Sequence, residues 1–410
     1  MGGSREFSCS GRRGVEGPLV PDIAVFAEQL RSQGYSKRSI GDARRLVADF
    51  SEWLKQKNIA KEDISPEHTE RYFRYRALRR RPGKSDVAIM RRLLSLLREE
   101  GVIKQQPART EPTPIERLLD EYAVYLRQER ALAPKTLVLY LPNIRCFLMQ
   151  RFGKGCPQLS VLRAADVLRF VQQQVARLSP QTAKMVTNAL RSFLNFARYR
   201  GDITLDLAAA VPTVANWSKA SIPRAIAPEH VQAVLAHCNQ ASAVGCRDYA
   251  ILLLLARLGL RAGEIAFLEL DDIDWEGATL NVRGKGGHVS RLPLPHEVGE
   301  AIAAYLKMGR PASTSRRVFL RAKAPIRGFT SQMAVLSVVR QAMARAGIDP
   351  PRKGAHQFRH ALACEMLRQG ASLPEIGQIL GHRSPQTTAI YAKVDLASLH
   401  TLALPWPGGV

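Results

Sequence analysis

Residues 355–391 read AHQFRHALACEMLRQGASLPEIGQILGHRSPQTTAIY, and they decide the fold expected for the rest of the chain. Their apolar residues recur at helical spacing and predict two helices, Gln357–Gln369 and Leu373–Leu380. Four ionisable side chains stand out in this stretch: His356, Arg359, His382 and Tyr391. The stretch therefore predicts a helical scaffold that carries polar side chains at fixed spacing.

An arginine and a lysine further upstream extend this set. Arg261 lies between two glycines, which would let the backbone approach a ligand closely or would only end a helix. Lys285 lies in a glycine-rich turn, Gly284–Gly287. Alternating residues on either side predict the strands Thr279–Arg283 and Val289–Leu294, which would place the lysine at the tip of a hairpin.

These residue types match the needs of metal-free attack on a phosphodiester. The guanidinium forks of Arg261 and Arg359 can donate in parallel to the non-bridging oxygens and stay charged at any working pH. The phenol of Tyr391 can form a covalent bond to phosphorus, and Lys285 can protonate the departing oxygen. Two histidines could bind the phosphate or relay protons near neutral pH: His356 and His382.

The same segments resemble the tyrosine recombinases, also called phage-type integrases. The segment around Arg261 is similar to the first arginine box of that family, and the hairpin around Lys285 to its catalytic-lysine hairpin. Residues 355–360 and 380–384 resemble its second box, and residues 387–391 its nucleophile segment. The order and spacing of the motifs are those of the family.

The resemblance covers residues 226–395 and implies a reaction. Tyr391 would attack to give a 3′-phosphotyrosine, and a partner strand's 5′-hydroxyl would reverse the step. A homotetramer on two double-stranded DNA sites, a dimer per site, is implied, with accessory recombinases as further partners. No metal or other cofactor is expected, and no Gly-x-x-x-x-Gly-Lys loop is present to bind ATP.

Each of these residues also has a structural interpretation. Arg261 could be an ion-pair residue, and Glu264, three positions on, is its expected partner and is left outside the catalytic set. Lys285 could be a solvated hairpin tip, and Tyr391 a packed aromatic. Their joint occurrence in the order of the family favours catalysis over these separate interpretations.

A zinc site is not expected, although His356 and His360 stand four apart on a predicted helix. The zinc-protease pattern requires Glu directly after the first histidine, and Gln357 occupies that position. His360 is therefore interpreted as a supporting or packing residue.

The charge of the chain indicates a polyanionic partner. The 410 residues carry a net charge of +24, and the isoelectric point is near 10.3. Residues 1–225 contain 39 Lys and Arg against 22 Asp and Glu, a net of +17, whereas residues 226–410 contain 21 against 14, a net of +7. Residues 1–225 are therefore expected to make most of the electrostatic contacts with DNA, and residues 226–410 are expected to contain the catalytic residues.

The remaining composition favours a cytoplasmic protein. Six cysteines without a CxxC pair are typical of thiols in a reducing compartment. The longest apolar run, Tyr249–Ala256, is too short to cross a bilayer, and the first residues lack the apolar core of a signal peptide.

The front half contains an internal repeat, because residues 20–105 and 113–204 look like two copies of one helical unit. Equivalent positions are Leu30 and Leu126, Phe50 and Phe147, Leu94 and Leu194, Gly101 and Gly201, and Ile103 and Ile203. The second copy resembles the core-binding domain of tyrosine recombinases. Family members normally carry one such unit, so the first copy is a departure, which could bind a DNA arm or end or extend the clamp.

The expected fold is mainly α and multidomain, with two helical SAM-like, core-binding-type DNA-binding modules followed by a mostly α catalytic domain with a small antiparallel β-sheet. The expected segments are a flexible N-terminus (1–19), an additional helical module (20–106), a core-binding domain (113–210) and a catalytic domain (226–410). Proline-containing linkers are expected at Gln105–Pro114 and Val211–Pro228. A helix over Asp395–Leu404 could dock on its own protomer or on a neighbour.

Six basic residues of the two modules are the expected DNA contacts. Arginines and aromatics interleave from Arg71 to Arg76, which favours phosphate contact or, alternatively, a helix with buried aromatics and solvated arginines. The expected contacts are Arg74, Arg79, Arg80, Arg81, Lys135 and Arg191.

The function expected is site-specific DNA recombination for a mobile element, by integration or transposition. Three alternatives stay open: a chromosome or plasmid dimer resolvase, a type IB-like topoisomerase, and a non-catalytic DNA-binding regulator. The duplicated module and Leu380-Gly381-His382 disfavour the topoisomerase, and the presence of Tyr391 and both arginines disfavours the regulator.

Overall fold

A computed structural model describes residues 16–78, 81–103, 112–214, 225–284, 288–350, 353–382 and 384–394. The front half forms eight helices in the described residues. The first four are α1 (Val20–Ser32), α2 (Lys37–Gln56), α3 (Pro66–Ala77) and α4 (Lys84–Glu99). The next four are α5 (Pro114–Gln128), α6 (Pro134–Phe152), α7 (Ala164–Val175) and α8 (Pro180–Tyr199).

These helices confirm the internal repeat. Each set of four has a short 3₁₀ turn between its second and third helices, at Lys61–Asp63 and at Leu159–Val161. The second helix of each copy has a favourable start, because the Ser36 hydroxyl accepts the Ser39 N–H at 3.2 Å and Pro134 is the first residue of α6. The two copies therefore share their order of elements.

Each copy has a hydrophobic core of its own. Aromatic rings lie in both cores, with Phe50 beside Tyr72 in the first and Tyr122 beside Phe193 in the second. The apolar residues matched by the repeat are buried in both copies: Leu30 and Leu126, Phe50 and Phe147, Leu94 and Leu194, Ile103 and Ile203. Their equivalence thus extends from sequence to packing.

The last helix of each copy ends in the same way. Gly101 follows α4 with a φ of 70°, and Gly201 follows α8 with a φ of 81°. This left-handed conformation strains residues that carry a Cβ, and glycine adopts it readily. The repeated glycine therefore marks the point where each copy turns out of its final helix.

The rear half is mostly helical in the described residues. Its helices are α9 (Pro228–Ala236), α10 (Ala243–Arg257), α11 (Ala262–Ala266), α12 (His296–Ala304), α13 (Met333–Arg345), α14 (His356–Arg368), α15 (Leu373–Ile379) and α16 (Pro385–Thr388). A π-helical turn, Tyr305–Gly309, extends α12, and a 3₁₀ segment, Ala389–Val394, follows α16. The two helices predicted from the sequence, Gln357–Gln369 and Leu373–Leu380, are confirmed to within a residue at each end.

A small sheet interrupts these helices. Its strands are β1 (Ile273–Asp274), β2 (Thr279–Arg283) and β3 (Val289–Pro293), in that spatial order. β1 and β2 are antiparallel, with Ile273 opposite Leu280. The two predicted strands on either side of Gly284–Gly287 are therefore confirmed, and the expected fold class is that of the protein.

The structure divides into two compact units. One combines residues 1–108, 226–282 and 291–359, and the other combines residues 109–225, 283–290 and 360–410. Within the first unit, the helical repeat contacts the rear half where the Ile326 N–H donates to the Gln33 carbonyl at 2.9 Å. Gly34, with a φ of 80°, lies so close to Ile326 that an added Cβ would be 2.5 Å from its Cγ1.

Three of the expected segments lie wholly or partly outside the described ranges. They are the N-terminus before residue 16, most of both proline-containing linkers, and the helix over Asp395–Leu404. The exact domain boundaries therefore remain predictions. Within the described ranges, no helix is both long and apolar enough to span a membrane.

Candidate active site

Arg261 is held at the start of a short helix. It is the residue that precedes α11, and its backbone N–H donates to Oε2 of Glu264 at 2.7 Å. Its Nη1 donates to Oε1 of the same carboxylate, also at 2.7 Å. The expected pairing of Glu264 with Arg261 is therefore confirmed, and it fixes the guanidinium to the backbone of the helix start.

Arg359 is buried and anchored to a distant carbonyl. Its side chain is on α14 with 4% of the residue exposed, and Nη1 donates to the Gly259 carbonyl oxygen at 2.6 Å. Gly259 has a φ of 59° and follows the end of α10, so the helix break considered from the sequence is present. The same break presents the carbonyl that orients Arg359.

His356 lies in the electrostatic field of both arginines. Burial lowers the pKa of its imidazole, and the guanidinium groups of Arg359 and Arg261 lower the pKa further, against a smaller opposing effect of Glu264. His356 is therefore held neutral at neutral pH, and a neutral imidazole can donate from one nitrogen and accept at the other. The first unit thus brings together Arg261, His356 and Arg359.

The expected catalytic lysine is outside the described residues. The two residues on either side of the turn are hydrogen-bonded to each other, since the Gly284 N–H donates to the His288 carbonyl oxygen at 2.7 Å. Lys285 itself, with Gly286 and Gly287, lies in the undescribed turn. Its role remains a prediction from the sequence.

Tyr391 is buried in the second unit. It is 1% exposed and belongs to an apolar cluster with Ala363, Cys364, Ile376 and Leu380. Its hydroxyl oxygen is 3.0 Å from Nδ1 of His360, and the two rings meet edge-on with centroids 5.7 Å apart. The phenol oxygen therefore has an imidazole nitrogen within hydrogen-bonding distance.

His382 is positioned by the helix that precedes Tyr391. Its Nδ1 is 2.8 Å from Oγ1 of Thr388, a residue of α16 that is 3% exposed. Gly377 of α15 allows this approach, since an added Cβ would lie 3.0 Å from the same Oγ1. The second unit thus holds His382 and Tyr391, each beside a described polar partner.

The first module presents part of its expected DNA-binding set to solvent. Arg74 and Arg81 are exposed, whereas Arg79 and Arg80 lie outside the described residues. The aromatic Tyr72 of the same stretch is buried against Trp53 and Phe50, and Arg76 pairs with Asp86 at 3.5 Å. This stretch therefore combines inward-packed aromatics with exposed arginines.

The two expected contacts of the second module differ in environment. Lys135 is exposed at the start of α6. Arg191 is half-buried, and its Nη2 donates to the Val211 carbonyl at 3.0 Å. Arg191 thus supports the chain segment that leaves the second module, and its contact with DNA remains a prediction.

Two features of the site were not predicted from the sequence. His360 was predicted to be a supporting or packing residue, and its contact with Tyr391 was not foreseen, although it stands four positions from His356 on the same helix. Nor was it foreseen that a carbonyl a hundred positions away, that of Gly259, would anchor Arg359.

Two family descriptions match the chain. Residues 224–397 match the phage integrase family, and residues 119–201 match the phage integrase N-terminal SAM-like domain. The second match falls on the second helical copy, as the resemblance to a core-binding domain implied.

Relatives extend the match over almost the whole chain. A putative integrase/recombinase, y4rA, of Sinorhizobium fredii is 54% identical over 97% of this chain and 96% of its own length. The tyrosine recombinase XerD of Mycobacterium tuberculosis is 30% identical over 71% of this chain and 96% of its own length.

Solved structures agree on the fold. The XerH site-specific recombinase bound to palindromic difH substrate, in a post-cleavage complex, gives a TM-score of 0.55 at 18% identity, over 69% of this chain and 83% of that one. The family descriptions and the relatives together identify the family. The chain belongs to the phage integrase family of tyrosine recombinases, enzymes that recombine DNA.

Proposed function

We propose that this protein is a site-specific recombinase of a mobile element, which cleaves and rejoins DNA through a 3′-phosphotyrosine on Tyr391. The observation that supports it most is the set Arg261, His356 and Arg359, in which burial and two guanidinium groups, each held by a hydrogen bond, lower the pKa of an imidazole below its usual value. Such an arrangement is complementary to the charge on the non-bridging oxygens of an attacked phosphodiester.

In the proposed reaction, six residues act on one phosphodiester. The phenol oxygen of Tyr391 forms a bond to phosphorus while the bond to the 5′-oxygen breaks. The departing oxygen takes a proton from Lys285, and the free 5′-hydroxyl of a partner strand later reverses the step. The proposed catalytic residues are Arg261, Lys285, His356, Arg359, His382 and Tyr391.

We propose that neither a metal ion nor ATP takes part, because two guanidinium groups supply the positive charge and the phosphotyrosine conserves the energy of the broken bond.

The test is capture of the covalent intermediate. The purified protein is incubated with sheared genomic DNA from its own source, the mixture is denatured, and DNA that stays attached to protein is sequenced. We expect Tyr391→Phe, a variant that keeps the ring and removes the nucleophile, to retain no DNA. If Tyr391→Phe also retains DNA, or if the wild-type protein retains none, the proposed nucleophile is contradicted.

The captured sequences also separate the biological roles. Sites at the borders of a mobile element support integration or transposition, whereas a single chromosomal site supports dimer resolution. Joining of two distinct captured duplexes excludes a topoisomerase, which relaxes supercoils alone. Chelation with EDTA and omission of nucleotide leave the yield unchanged if the reaction needs neither metal nor ATP.

Assembly is a further part of the proposal. Two protomers would occupy one duplex and four would join two duplexes, with accessory recombinases as additional partners. The mass of the complex on a captured duplex, measured by mass photometry, distinguishes one, two and four protomers. A complex that never exceeds one protomer during strand joining would contradict the tetramer.

A further inference from the structure

His360 contacts the atom that the proposed function assigns as the nucleophile. Its Nδ1 is 3.0 Å from the hydroxyl oxygen of Tyr391, a distance typical of a hydrogen bond. The rings meet edge-on, at 63°. Both residues belong to the same compact unit, and His360 was assigned no chemical role from the sequence.

The ring of Tyr391 is packed among apolar side chains. The ring is 1% exposed and lies against Ile376 and Leu380. A phenol in bulk water can release its proton to solvent, but a phenol from which water is excluded must pass the proton to a neighbouring group. Since an unperturbed phenol has a pKa of about 10, attack at neutral pH requires such a base.

Geometry favours the imidazole of His360 for that task. A nucleophile and a base within hydrogen-bonding distance are the structural signature of assisted attack. Of the other histidines described in this unit, His288 is exposed beside the hairpin turn, and His382 has its Nδ1 at 2.8 Å from Thr388 Oγ1, so that nitrogen faces a hydroxyl of the scaffold. The nitrogen that faces the phenol oxygen at 3.0 Å is that of His360.

We infer that His360 is a further catalytic residue, the general base that accepts the phenol proton as Tyr391 attacks DNA; this rests on the proposed function. The bond between Oη and its hydrogen breaks, and a bond from Nδ1 to that hydrogen forms. The electron pair left on oxygen makes the bond to phosphorus. In the reverse step, His360 returns the proton to the departing phenol oxygen.

This role fixes the tautomer of His360. Nδ1 can accept a proton only if the neutral ring carries its hydrogen on Nε2. The apolar cluster that packs Tyr391 also limits the motion of its ring, so the pair is aligned before DNA binds. An amide in place of the imidazole could accept a hydrogen bond from the phenol, but it could not take up the proton.

The experiment uses a nicked duplex with a sequence captured by the wild-type protein. His360→Asn keeps an acceptor near the position of Nδ1, and His360→Ala opens a space that added imidazole can enter. His296→Asn is the matched control, because that histidine is exposed on α12. We expect single-turnover adduct formation to fall about 10²-fold in both His360 variants and to stay unchanged in the control.

Two further readouts separate a base from a structural residue. Imidazole in the buffer should restore adduct formation at least tenfold in His360→Ala and not in Tyr391→Phe. The rise of the wild-type rate with pH should flatten in His360→Asn. Other titratable groups on the surrounding elements could contribute to that rise, and both proteins retain them: His356, Cys364, Glu365, Glu375, His382 and Lys393.

The outcomes are distinct. A rate unchanged in His360→Asn, or one that falls with an unaltered pH profile and without rescue by imidazole, overturns the assignment of His360 as base. A faster variant also overturns it and assigns His360 to restraint of Tyr391 instead. Failure of the wild-type protein to form any adduct rejects the proposed function itself. Thermal unfolding and DNA binding of each variant establish that it is folded.

Discussion

The Glu264 carboxylate accepts two hydrogen bonds from one residue, Arg261. It accepts the backbone N–H of Arg261 through one oxygen and the Nη1 of the same arginine through the other, both at 2.7 Å. A carboxylate at this position also interacts favourably with the positive end of a helix. The orientation of the arginine fork is thereby coupled to the start of α11.

Replacement of Glu264 should therefore impair cleavage more than binding. We expect Glu264→Ala to lower the rate of adduct formation about tenfold, since a misoriented charge-assisted donor loses roughly 1.4 kcal/mol of transition-state stabilisation. Glu264→Gln retains one acceptor oxygen and should lose less. Single-turnover rates on a nicked captured duplex measure both effects, and equal loss in the two variants would contradict the double role.

His356 gives the protein a pH-dependent stability. Its pKa is lowered in the folded state, first by burial and then by Arg359 and Arg261. As pH falls below the unperturbed pKa of about 6.5, the unfolded chain takes up a proton that the folded chain resists. The free energy of unfolding should therefore decrease as pH falls from 7.5 to 5.5.

The contribution of His356 can be isolated by substitution. His356→Gln cannot titrate, so its urea-unfolding midpoint should decrease less between pH 7.5 and 5.5 than that of the wild-type protein. His296→Gln, at an exposed site, should follow the wild-type curve. Parallel curves for His356→Gln and wild type would show that this imidazole does not couple folding to pH.

At the scale of elements, the paired glycines test the repeat. Gly101 and Gly201 have φ values of 70° and 81°, and an added Cβ would meet no atom within 4 Å at either position. Alanine at either position should lower the free energy of unfolding of its copy by about 1 kcal/mol, through backbone strain alone, and asparagine should lower it less. Hydrogen exchange of α4 and α8 reports each copy separately, and a cost in only one copy would contradict their equivalence.

Gly377 tests the close packing of α15 and α16. A Cβ there would be 3.0 Å from Thr388 Oγ1, the hydroxyl beside His382. Gly377→Val should displace Thr388, destabilise this unit and slow adduct formation at least tenfold. Gly299→Ala in α12 is a control with an ordinary 3.6 Å contact, and an equal loss there would show that the effect is not local.

Most elements could be predicted because their determinants are local. Apolar spacing predicted the helices after residue 356, the internal repeat predicted two helical copies, and alternation around the Gly284–Gly287 turn predicted the hairpin. The contacts of His360 with Tyr391 and of Arg359 with Gly259 span 31 and 100 positions. Such contacts depend on how helices pack, and single-sequence periodicity carries no information on that packing.

The whole molecule distributes its positive charge over both helical copies. Residues 1–106 contain 22 Lys and Arg against 14 Asp and Glu, a net of +8, and residues 107–225 contain 17 against 8, a net of +9. The relative that shares 97% of this chain at 54% identity spans both copies, whereas XerD matches 71% of it. An added copy with this charge is expected to extend the surface that holds DNA.

Salt dependence measures whether the first copy touches DNA. Arg74 and Arg81 are exposed, and each phosphate contact contributes about 0.9 to the slope of log affinity against log salt. Arg74→Gln with Arg81→Gln should therefore reduce that slope by about 1.8 on a captured duplex, with the cleavage site unchanged. Arg45→Gln removes an exposed arginine of α2 that pairs with Asp42 at 2.5 Å, more closely than Arg74 pairs with Glu70 at 3.9 Å, and it should change the slope little. Equal slopes for the wild-type protein and the double variant would show that Arg74 and Arg81 do not contact phosphates. The electrostatic contacts with DNA would then be assigned to the second copy.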